Sequence, residues 1–203
     1  MSAERLPGWL ERFAERHGDA RLDRYGDAVR LTAADGATAL LRSRFGPVGD
    51  HPDLRTALLQ HVSRDRVVGV LLVRRGGYAV GVFRGPQLRA SKVGRPYVQG
   101  KTKAGGWSQQ RYARRRGQQA DQAYAAAADT AAQVLLPVVN DLEAVVGGGD
   151  RGGVDAVLAD PRLAPLRERL TGPVLPTPDP RLDVLRRFGD TMREVEVILN
   201  ALA

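Results

Sequence analysis

Gly100-Lys101-Thr102-Lys103-Ala104-Gly105-Gly106-Trp107-Ser108-Gln109-Gln110-Arg111-Tyr112-Ala113-Arg114-Arg115-Arg116 divides the chain into two unlike halves. Glycine-rich and basic over residues 94–107, it reads as a loop, and Ser108 is placed to cap a helix that opens with Gln109 and Gln110. C-terminal to it, Ala120, Ala123, Tyr124, Ala127, Ala131, Val134 and Leu135 recur with the 3.6-residue period of one long amphipathic helix, which Pro137 ends or kinks. N-terminal to it, Val67–Val73 and Tyr78–Phe83 are valine-rich strands joined through a turn at Arg74–Gly77, and Gln87–Val93 extends them into a meander.

The same stretch sits inside an abrupt segregation of charge. The chain has 203 residues and a formal net charge of +8. From Arg66 to Ala120 there is not one Asp or Glu, whereas thirteen of the 31 basic residues fall there. The remainder carries eighteen basic against 23 acidic residues, so the whole positive excess lies in one segment. Like charges packed together oppose folding unless a polyanion is the partner, and phosphate contacts then make affinity strongly salt-dependent. A solvated basic face serving solubility alone does not require every acid to be excluded.

Composition closes off other classes. Without cysteine there is no disulfide framework, thiolate nucleophile or Cys-ligated metal, and His17, His51 and His61 lie far apart. No metal and no cofactor is expected. No apolar stretch approaches the roughly 18–20 residues of a membrane span. The opening MSAERLPGWLERF has charges where a signal peptide needs an apolar core, so a cytoplasmic protein without membrane contact is expected. No helix-turn-helix or zinc pattern favours DNA. Gly147-Gly148-Gly149-Asp150 lacks the Lys-Ser/Thr of a nucleotide P-loop and reads as strand punctuation. Asp141 and Glu143, beside a strand end, do not make a metal pair.

Further out, Leu6–His17 reads as an amphipathic helix, and Ala20–Tyr25, Ala28–Thr32 and Thr38–Arg42 as short strands around Gly-Asp and Asp-Gly turns. Asp53 is placed to cap a helix to about His61. After the long helix come a buried strand at Leu142–Val146 closed by the glycines at 147–149, helices at Gly153–Leu158 and Pro161–Leu170, a short strand at Val174–Leu175, and a last helix from Pro180 to Leu202. The order points to an α/β (α+β) fold, a mixed sheet with packed helices. The expected division is residues 1–50 as an N-terminal helix and small β elaboration, and 51–203 as one catalytic or binding domain.

From the residues alone, the loop presents a glutamine pair to nucleic acid. The helix start offers unpaired N–H groups to an anion. Arg111, Arg114 and Arg115 fall on neighbouring turns suited to a phosphate backbone, with Arg116 beside them. Lys101 and Lys103 are phosphate contacts, Trp107 is a base-stacking residue, and Tyr112 is a core anchor of the helix. The plainer reading of Gln109 and Gln110 is an ordinary polar first turn.

Gly105-Gly106-Trp107-Ser108-Gln109-Gln110-Arg111-Tyr112-Ala113-Arg114-Arg115-Arg116 resembles the signature of the central domain of eukaryotic and archaeal peptide-chain release factors. There a GGQ tripeptide precedes an Arg-aromatic-Ala-Arg helix start. It is still more similar to the release-factor-like peptidyl-tRNA hydrolases of ribosome quality control, in their actinobacterial-type branch, and the likeness extends more weakly over about residues 65–200. In release factors the glutamine follows the glycine pair directly; here Trp107 and Ser108 intervene and Gln109 is third.

The resemblance implies a ribonuclease-H-like mixed sheet. It also implies a cytoplasmic monomer whose partners are the large ribosomal subunit and peptidyl-tRNA. Gln109, then Gln110, would act on the peptidyl ester in the peptidyl-transferase centre, with Gly105 and Gly106 shaping the loop. Two alternatives stay open: cleavage within the 3′ CCA tail of tRNA, and a non-catalytic RNA- or ribosome-binding module.

Overall fold

The computed structural model describes residues 1–75, 77–95 and 109–203, with the backbone alone over 109–120. In chain order the elements are α1 (Leu6–His17), β1 (Ala20–Tyr25), β2 (Ala28–Ala33), β3 (Thr38–Arg42), α2 (Leu54–Ser63), β4 (Val67–Arg74), β5 (Gly77–Arg84), β6 (Gln87–Gly94), α3 (Gln109–Leu135), β7 (Ala144–Gly149), α4 (Arg151–Leu158), α5 (Ala164–Arg167), α6 (Leu182–Thr191) and β8 (Glu196–Leu199). The fold is mixed α+β, with two four-stranded sheets. Two compact units share the chain: residues 1–65 with 189–203, and residues 66–188.

The first unit is an antiparallel sheet in the order β1-β2-β3-β8, covered by α1 and α2. Alternation along β2 and β3 sends Val29, Leu31, Ala39 and Leu41 into a core completed by Leu6, Leu10 and Phe13 of α1 and Ala57, Leu58 and Val62 of α2. Asp53 caps α2 as its position suggests, its carboxylate accepting from the Arg55 and Thr56 amides. Because α2 buries its apolar face in this core, the division falls after residue 65 rather than after 50.

The expected final helix is also shorter. α6 ends at Thr191, and residues 196–199 form β8, antiparallel to β3 with Leu41 opposite Val197 and Ala39 opposite Leu199. Glu194-Val195-Glu196-Val197 alternates with period two, and Val195 is buried with the α1 and α2 side chains, so a strand gains more from this segment than a helix.

The second unit is built on a sheet of order β6-β5-β4-β7. β4, β5 and β6 are the expected antiparallel meander, and β7 joins parallel to β4, with Val68 opposite Ala144 and Val73 opposite Gly149. A parallel partner requires a crossover, which α3 supplies. Ala127, Ala128, Ala131 and Leu135 of α3 pack with Leu71, Val73, Val80, Val82 and Val145, and Val154, Val157, Leu158, Leu163 and Leu166 close the cluster. The opposite face is covered by α6, whose Leu185 lies against Gly81 and Phe188 against Gly148. Buried on both faces, β4 reads as an unbroken apolar run rather than an alternating one.

The glycines at 147 and 148 do not close β7 but belong to it, opposite Leu71 and Leu72. A Cβ at Gly148 would stand 2.6 Å from Leu72 Cδ2, 2.7 Å from Phe188 Cε2 and 2.7 Å from Thr177 Oγ1. Close approach of three neighbours, not a turn, selects glycine there. The expected short strand near Val174–Leu175 appears as a single parallel bridge from Leu175 to Gly148.

Candidate functional site

Among the described residues helix α3 runs from Gln109 to Leu135. It spans 27 residues, about 40 Å. Tyr124 stands by Gly153 and Val73 at the end of β4, whereas Leu135 stands by Gly69 near its beginning. The helix therefore runs antiparallel to β4, and about 22 Å of it lies between Gln109 and Tyr124. Gln109, Gln110, Arg111, Arg114, Arg115 and Arg116 occupy the first turns of this backbone, and their side chains lie outside the described residues. So does that of Tyr112. Lys101, Lys103, Gly105, Gly106, Trp107 and the cap Ser108 lie outside them altogether.

The C-terminal half of α3 is fixed by polar contacts as well as by its alanines. Thr130 Oγ1, buried, donates to the Tyr78 hydroxyl at 3.3 Å. Lys92 of β6 donates to Gln133 Oε1 at 2.7 Å. Arg162 bridges Asp129 of α3 and Asp160, each at 2.7 Å. These partners hold the Arg162 guanidinium charged more firmly than usual, the Asp160 hydrogen bond contributing most. The Asp160 carboxyl is correspondingly lowered, chiefly by the Arg162 side chain and then by the Arg162 backbone N–H. None of these positions stands out in the sequence; Tyr78 and Thr130 become partners only once β5 and α3 are packed together.

β4, β6 and β7 bring Arg74, Arg75, Arg95 and Asp150 to one end of the sheet, the end where β6 leads out and α3 packs Tyr124. A pocket of about 510 Å³ opens there, lined by Arg74, Arg75, Tyr124, Asp150, Asp179 and the first glycines of α4. Arg74 donates to the Thr177 carbonyl at 2.9 Å and lies 3.8 Å from Asp179, so part of its charge is already matched. Arg75, Arg84, Arg89 and Arg95 are exposed and have no carboxylate in ion-pair range among the described residues. The sequence counted these four as part of the acid-free stretch without assigning them a role. Among the described residues, no group of three or more His, Asp or Glu side chains is placed to hold a metal. No described helix is long and apolar enough to cross a membrane.

The Actinobacteria/chloroflexi VLRF1 release factor family matches the chain over residues 66–198. The chain belongs to that family. The match begins at Arg66, the first residue of the second unit and of the acid-free stretch, and includes the run from Gly105 to Arg116 and the rest of α3. Among solved structures, this VLRF1 family member is similar to an archaeal translation termination factor, aRF1, at 17% identity over 76% of this chain and 46% of that one, with a TM-score of 0.48. A second, described as an archaeal protein, is 15% identical over 77% of this chain and 48% of the other, with a TM-score of 0.42. The chain spans a little under half the length of either. No curated protein matches it.

Proposed function

We propose that the protein frees nascent chains from stalled ribosomes by hydrolysing the ester that joins peptide to tRNA. The observation that carries this reading is the release factor family match across residues 66–198. The uncompensated arginines at the sheet edge and the acid-free segment around the loop support a partner made of RNA. In this reading the loop of residues 94–107 and the start of α3 enter the peptidyl-transferase centre of the large subunit. The protein acts there as a cytoplasmic monomer without metal or cofactor.

A glutamine amide does not titrate near neutrality, so Gln109 is not a general base. Its carbonyl orients a water and its NH2 donates to the oxyanion that develops on the ester carbonyl. Water oxygen bonds to the carbonyl carbon and the bond from that carbon to the ribose 3′ oxygen breaks. The proton lost by the water ends on that leaving oxygen, carried by groups of the tRNA 3′ end and the ribosome. Gln110 is the second choice for the same role. Gly105 and Gly106 let backbone N–H groups approach the ester. Lys101, Lys103, Arg111, Arg114, Arg115 and Arg116 neutralise phosphates, and Trp107 stacks on a base.

The test is incubation of purified protein with large subunits carrying peptidyl-tRNA, sizing both peptide and tRNA. Freed peptide with full-length tRNA supports ester hydrolysis. Shortened tRNA assigns cleavage in the CCA tail, and no product assigns a binding module. Gln109→Ala and Gln110→Ala should lower turnover by about 10²–10³ at the catalytic position while RNA affinity holds, the usual effect of losing one oxyanion donor. Full turnover in both variants would remove the glutamines from the mechanism.

A further inference from the structure

We propose that the exposed edge of the second sheet is a docking surface for single-stranded ribosomal RNA, with Arg84, Arg89 and Arg95 as its phosphate contacts. Among the described residues the sheet order leaves β6 with a neighbour on one side only, and six of its eight residues are exposed whereas β4 and β5 are almost wholly buried. Arg84 ends β5 opposite Gln87, and Arg95 directly follows β6, so the three arginines span the strand from end to end, about 26 Å. That length covers several consecutive phosphates of an extended strand. Between the arginines stand Gln87 and Ser91, uncharged hydrogen-bonding side chains, and no acid.

Two features select RNA over an added protein strand. Val82 pairs with Ala90 and Phe83 with Leu88, which leaves Arg89 as the extra residue of a bulge. A bulge together with charged side chains blocks strand addition at an edge. The three guanidinium groups also have no carboxylate partner among the described residues, so a phosphate backbone meets them without displacing an existing ion pair. Lys92 is left out of the contact set because Gln133 of α3 holds its ammonium group. The inference rests on the proposed release function only for the RNA being ribosomal.

The full-length protein is titrated against a fluorescent oligomer of twenty uridines at 50–200 mM KCl. Each single-strand phosphate contact contributes about 0.7 to the slope of log affinity against log salt. Replacing Arg84, Arg89 and Arg95 by Ser should therefore make the slope shallower by about 2. Wild type then loses about 20-fold more affinity than the variant across that salt range. Arg84→Lys, Arg89→Lys and Arg95→Lys together should keep the wild-type slope, which separates charge from folding. Arg181→Ser with Arg186→Ser, on exposed positions outside the sheet, should also leave it unchanged.

An unchanged slope in the serine variant overturns the proposal. So does an equal loss in the lysine variant or in the Arg181/Arg186 control. Binding of polyglutamate through the same arginines, as tight as RNA binding, would reassign the edge to an acidic protein. The glutamine variants above test release and these variants test docking, so each reading can fail alone.

Discussion

Replacing Gly148 by alanine adds one methyl group to the middle of β7. That methyl would stand 2.6–2.7 Å from atoms of Leu72, Phe188 and Thr177, where carbon atoms ordinarily rest about 3.5–4.0 Å apart. Three neighbours on separate segments must each retreat by up to about 1 Å, and such overpacking costs about 1–3 kcal/mol. Thr177 does not retreat freely, because its buried hydroxyl donates to the Leu175 carbonyl at 3.0 Å. Straining that bond adds about 1 kcal/mol. The expected loss is about 2–4 kcal/mol, which at a urea slope of about 2–3 kcal/mol/M lowers the unfolding midpoint by roughly 0.7–2 M. Gly152→Ala is the internal control. A Cβ there meets nothing within 4 Å, and inside the first turn of α4 alanine is the better helix former, so its midpoint should stay level or rise. Urea titrations followed by far-UV circular dichroism read both. If Gly148→Ala unfolds within about 0.2 M of wild type, the close approach does not select the glycine.

Tyr78→Phe leaves the buried Thr130 hydroxyl without its acceptor and should cost about 1–3 kcal/mol, whereas Tyr78→Phe with Thr130→Val removes both partners and should be less destabilising than the two single changes summed. Thermal melts of the four proteins close that cycle. The Asp160 carboxyl, held below its ordinary value of 3.8 by Arg162, contributes stability that is complete above that ordinary value and is lost as pH falls through the lowered one. Asp160→Asn should therefore flatten the acid limb of a stability–pH curve below about pH 4, and an unaltered acid limb would show that the Arg162 bridge does not hold α3.

Most of the architecture could be read from local pattern. The valine runs at 67–73 and 78–83, the polar third strand and the alanine stripe of α3 are each decided by their own periodicity, so the meander and the body of the long helix lie where the sequence puts them. Asp53 caps α2 for an equally local reason, its carboxylate reaching amides two and three residues on. The candidate site was legible in part. Composition exposed the acid-free stretch, and the run from Gly105 to Arg116 carried the release factor resemblance, but Arg84, Arg89 and Arg95 gained a shared surface only when β6 took the edge position.

What the sequence by itself determined is therefore what depends on neighbours along the chain: strand and helix periods, caps, and the location of charge. Tertiary structure alone decided the pairings between distant segments. Residues 196–199 became a strand because β3 offered them an open edge, and Gly148 stands inside β7 as glycine because Leu72, Phe188 and Thr177 crowd the space a side chain would need. A period records which way a side chain points, but not what will be waiting there, and that depends on residues far away in the chain.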